Sequence, residues 1–165
     1  MIIVWSIVVA SLLLESILTN AVALNSVLLP LFSVVSLVII YPYFNNKDSH
    51  YLWFCTIIGL VYDIAFTNTL FLNASLFLVI GIILKKINTT FSNNHLNVSF
   101  ITGFIIIFYR IVTYIILLIV NYLDFDGIFL LNGIINSLVL NILYAIAIYS
   151  LADYYSHKYK ISKID

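Results

Sequence analysis

Charge is what this sequence has least of. Of its 165 residues only 8% are Asp, Glu, Lys or Arg, while 64% are hydrophobic, and the mean hydropathy is +1.15. Soluble domains carry about 25% charged residues, so a water-soluble globule of this size is excluded. The formal net charge is zero, which leaves nothing to attract nucleic acid. The single cysteine, Cys55, excludes an internal disulfide and a multi-cysteine metal centre; it is expected to pack as a small apolar residue. Catalytic signatures are missing as well. There is no HExxH, no GxSxG, no glycine-rich phosphate loop and no cysteine pair, and His50, His95 and His157 are scattered between or after the apolar runs. The acidic stretch "LDFDG" (123–127) lacks the other ligands of a calcium loop and reads as a solvated turn. No enzyme activity, cofactor or metal is expected.

What the chain does have is long apolar runs. About 20 such residues cross the hydrocarbon core as a helix. Candidate spans lie at 2–19, 27–44, 51–67, 69–84, 98–122 and 128–152. Weak alternation argues against barrel strands. The expected fold is all-α, a polytopic membrane bundle of about six helices over 1–152, with a short basic cytoplasmic tail at 153–165. Spans three and four are short and separated only by "TNT" (67–69), so they are either two tilted helices or a re-entrant hairpin. Pro30 is expected in the first turn of span two, where its missing N–H is not needed. Glu15 and the absence of a basic start argue against reading span one as a cleaved signal.

The lysines report topology. Lys47, Lys85, Lys86, Lys158, Lys160 and Lys163 all fall in alternate connections or the tail, and none lies in "NAVALNS" (20–26), "TNT" or "LDFDG". Because such residues accumulate in cytoplasmic loops, both termini are expected on the cytoplasmic side of the membrane. The tail stretch "HKYKISK" (157–163) could also touch anionic lipid.

Three ionisable groups lie inside spans: Glu15, Asp63 and Arg110. Each falls about twelve or thirteen residues from the start of its span, roughly 18–20 Å above one face. Insertion scales put one mid-span charge at roughly 2.5–3.5 kcal/mol, so a cluster is expected in which one or both acids hold Arg110. Such a cluster either fixes helix packing or forms a site for a proton, ion or polar substrate. Cys55, Gly59 and Asp63 recur every four positions and share a helical face, with Gly59 permitting close approach. Gly103 and Arg110 fall on one stripe of span five. In span six Asn132, Gly133, Asn136, Ser137 and Asn141 spread over about half the circumference. That arc should face the bundle or a partner helix rather than lipid.

The length, the six spans and the G-L-x-x-D of Gly59, Leu60 and Asp63, followed by an apolar helix containing "LFLNASLFLVIGIIL", resemble the MreD family of bacterial rod shape-determining membrane proteins. The family often carries a glycine shortly after that aspartate, where this chain has Asn73. The resemblance implies a multi-pass plasma-membrane scaffold of the cell-elongation machinery. It would partner an MreC-like membrane protein and, indirectly, an MreB-like filament and the peptidoglycan synthases. It also implies a fold similar to the S-components of energy-coupling-factor transporters. A vitamin-binding S-component is therefore the competing reading, although the A-x-x-x-A docking motif usual in that class occurs nowhere in this chain.

Overall fold

Backbone in lipid must satisfy its hydrogen bonds internally, which for runs of this kind means helix. A computed structural model describes residues 2–21, 29–44, 49–67, 69, 71–87 and 94–159. Among them are six α-helices and no strand: α1 (Ile2–Ala21), α2 (Phe32–Ile40) continued by a 3-10 turn (Tyr41–Tyr43), α3 (His50–Phe66), α4 (Leu72–Ile87), α5 (His95–Ile119) and α6 (Gly127–Lys158).

Neighbouring helices alternate in direction. Edge-on ring contacts join Trp5 to Phe54 and Tyr41 to Tyr51, and the Tyr43 hydroxyl lies 2.7 Å from that of Ser156. The start of α1, the end of α2, the start of α3 and the end of α6 thus share one end of the bundle. Lys85 and Lys86 in the last turn of α4, and Lys158 in the last turn of α6, lie at this same end. Lys47, Lys160 and Lys163 are outside the described residues. The acidic Asp124 and Asp126 lie at the opposite end, between α5 and α6.

Among the described residues only α1, α5 and α6 combine full span length with sufficient apolarity. The second predicted span is shorter than expected: α2 has nine residues, all of them buried. With its 3-10 continuation it measures only about 20 Å. It is a core helix wrapped by the others. Pro30 does not sit in its first turn; Leu31 is the N-cap, and Pro30 belongs to the non-helical lead-in. Pro42 falls within the 3-10 turn, because a proline there clashes with the carbonyl four residues back and the α-helix cannot continue unchanged. The last span is longer than expected. It runs on to Lys158, so the first part of the predicted 153–165 tail continues the helix.

The α3–α4 pair is a close-packed antiparallel hairpin. A Cβ added at Gly59 would lie 2.6 Å from both Ala74 Cα and Asn73 O, and one at Gly81 would lie 3.0 Å from Cys55 Sγ. Cys55 is fully buried against this contact. Gly103 is different, since its added Cβ would meet only Ile142 and Leu138 side chains at 3.8 Å, and Gly133 has nothing within 4 Å. Of the three glycines flagged by sequence, Gly59 alone is required by backbone approach.

Gly59→Ala should therefore force α4 away from α3 and destabilise the bundle by about 1–3 kcal/mol, read as a lower unfolding midpoint in detergent. Gly133→Ala, made at an open position, should not lower that midpoint.

Candidate functional site

The two intramembrane acids are buried, Glu15 at 1% and Asp63 at 3% exposure. Neither is held by Arg110. Each instead closes the N-terminus of the helix that follows its own. Glu15 Oε2 accepts hydrogen bonds from the Ser33 backbone N–H at 2.8 Å and the Ser33 hydroxyl at 2.7 Å, within the first turn of α2. Its Oε1 accepts from the Tyr62 hydroxyl at 2.9 Å.

Asp63 does the same for α4. Its Oδ1 accepts from the Asn73 N–H at 3.1 Å and the Asn73 side-chain amide at 2.9 Å, and its Oδ2 accepts from the Ala74 N–H at 3.1 Å. Thr67 and Thr69 add hydroxyl donors at 3.1 and 3.2 Å. The local backbone explains why a remote cap is needed. Phe71, immediately before α4, has φ +66° and carries no side-chain oxygen with which to cap. Gly59, one turn below Asp63, lets the start of α4 settle against α3 within reach of the carboxylate. The G-L-x-x-D spacing is thus a seat and a cap on one helical face.

The first N–H groups of a helix lack intrahelical partners and together carry about half a positive charge. A carboxylate placed there meets donors fixed in position. That is the reason the expected acid–arginine pairing does not form: the acids are already solvated by backbone. Among the described residues no ion pair within 4.0 Å joins Arg110 to either acid. Arg110 and Glu15 interact only at longer range.

Sequence reasoning missed the hydrogen-bonding partners. Tyr109 donates to Asn73 Oδ1 at 2.7 Å, so Asn73 links α3, α4 and α5. Tyr62 and Tyr109 are chain neighbours of Asp63 and Arg110, and that adjacency was the available signal. A search for opposite charges passes over it.

The polar arc of α6 divides by depth. Asn141 is fully buried and faces the lead-in to α2; its Oδ1 accepts from Leu31 N–H at 2.8 Å, and its amide donates to Leu29 O at 3.0 Å. One side chain thereby satisfies non-helical backbone lodged among helices. Ser137, also buried, accepts from Arg110 Nε at 2.8 Å and donates to Gly133 O at 2.7 Å. Asn132, Gly133 and Asn136 instead line a cavity of about 530 Å³ between α5 and α6, together with Arg110. Among the described residues no three His, Cys, Asp or Glu side chains converge as a metal site.

An all-helical bundle with spans of membrane length, and with its two buried acids committed to holding helix ends, defines an integral membrane protein. The chain belongs to the MreD family: the model for rod shape-determining protein MreD matches residues 1–157. No curated protein and no solved structure matches it, so the likeness to S-components rests on the family resemblance alone. The family is one of shape-determining membrane proteins rather than enzymes.

Removing the Asp63 cap should leave the N–H groups of Asn73 and Ala74 unpaired, at a cost of roughly 1–3 kcal/mol for a buried donor. In a double-mutant cycle Asp63→Ala and Asn73→Ala should couple by about 0.5–3 kcal/mol, whereas Asp63→Ala and Arg110→Ala should be additive within about 0.5 kcal/mol. Unfolding midpoints in detergent, or steric trapping in bicelles, read both cycles.

Proposed function

We propose that this protein is a membrane scaffold of the bacterial cell-elongation machinery, acting in the plasma membrane with both termini cytoplasmic. It organises peptidoglycan synthesis through an MreC-like membrane partner, which links it indirectly to an MreB-like filament and to the synthases. The family match over residues 1–157 carries this reading. The physical arrangement supports it. The acids are occupied with helix ends, and the exposed surface carries large apolar side chains along α1, α5 and α6, which suits lateral contact within the bilayer. The described lysines share one end of the bundle, which under the positive-inside bias supports a cytoplasmic location for that end.

Purification in mild detergent from the native host, followed by identification of co-purifying proteins, should recover an MreC-like protein. Depletion should round rod-shaped cells, and the intact chain should restore them. Recovery of a coupling ATPase or a bound vitamin in place of that partner would refute the scaffold reading. A single cysteine placed at Asp124 should be labelled by an impermeant reagent from outside the cell. Labelling only after lysis would reverse the orientation.

A further inference from the structure

The three hairpins of the bundle start their return helices in related ways. Glu15 on α1 caps α2 and Asp63 on α3 caps α4. In the third hairpin the cap is local: Asp126 Oδ1 accepts from the N–H groups of Ile128 and Phe129 at 2.9 and 3.1 Å, opening α6. The corresponding level of α5 is occupied by a cation, Arg110. A guanidinium has five N–H donors, and here only Nε has an acceptor among the described residues, Ser137 Oγ. Arg110 is partly exposed and lines the 530 Å³ cavity between α5 and α6. Among the described residues no acidic side chain lines its wall. Glu15 acts on the arginine from a distance, but its oxygens are taken by Ser33 and Tyr62. Asp124 and Asp126 belong to the loop beyond, and Asp126 is occupied with the first turn of α6.

A planar fork of donors in the lining of a cavity matches an oxyanion bidentately. The volume lies within the range of small-ligand sites. Asn132, Asn136 and Tyr122 add polar groups to the wall, and the rest is largely apolar, including Leu29, Leu117 and Phe129. Free phosphate would leave that apolar surface against water, whereas a phosphate carried on an apolar body would cover it. We propose that the α5–α6 cavity binds the phosphate group of a membrane lipid, with Arg110 as its principal donor. This inference is independent of the scaffold reading.

The test uses the full chain in maltoside micelles, which contain no phosphate. Native mass spectrometry compares retention of phosphatidic acid with that of diacylglycerol, which has the same apolar body without the anion. The wild type should prefer phosphatidic acid, and Arg110→Gln should lose about tenfold of that preference, the equivalent of one charge-assisted contact. Gly133→Leu fills the cavity from a position with open space around it and keeps the arginine. It should bind as weakly as Arg110→Gln while retaining the wild-type unfolding midpoint. Equal retention by wild type and Arg110→Gln would overturn the proposal, as would full retention by Gly133→Leu. Inorganic phosphate that stabilises the wild type as strongly as phosphatidic acid would overturn the lipid source. A co-purifying protein whose carboxylate side chain cross-links at Asn132 or Asn136 in place of lipid would overturn the assignment altogether.

Discussion

A carboxylate buried in a bilayer has lost its water, and a helix that begins there has lost the partners of its first N–H groups. In this protein each deficit answers the other. Glu15 meets the start of α2 and Asp63 meets the start of α4, so two costly groups become two fixed joints. The rest of the bundle depends on these joints. Without the first, the fully buried α2 would begin with unsatisfied backbone in the middle of the protein. Without the second, α4 would follow the positive-φ residue Phe71 with nothing to close its first turn. Asn141 completes the arrangement by holding the lead-in to α2 through both a carbonyl and an N–H.

The level of the three intramembrane charges along the chain marked where polar interactions would concentrate, but their signs suggested the wrong partners. Coulomb reasoning pairs an arginine with the nearest acids. The fold pairs the acids with amides, which carry no letter in a sequence. The same limitation hid Asn73, which supplies a backbone donor, a side-chain donor and an acceptor for Tyr109. Gly59 was legible because close approach follows from absent volume alone. Gly133 was not, since a glycine that packs helices and one that lines a cavity look identical in one dimension.

Span boundaries were legible to within a few residues where hydropathy changes abruptly, as at α3 and α4. They were less so for α2, whose apolar run includes a non-helical lead-in that only a tertiary contact could stabilise. The length of α6 exceeded the apolar window because Asp153, His157 and Lys158 extend the helix past its apolar run. Lysine placement predicted which connections share an end of the bundle, since that pattern follows from loop composition alone. The position of Arg110 beside a cavity was not foreseeable, because it is defined by how α5 and α6 pack.

The location of each cap on the preceding helix has a consequence for biogenesis. When α3 leaves the ribosome its aspartate has no amides to meet, and at that moment lateral release into lipid carries the full penalty of roughly 2.5–3.5 kcal/mol for a central acid. The penalty falls only once the beginning of α4 has been synthesised and folded back. The same dependence joins α1 to α2. For these two pairs the penalty of the first helix is therefore lowest when it enters lipid together with the start of the second.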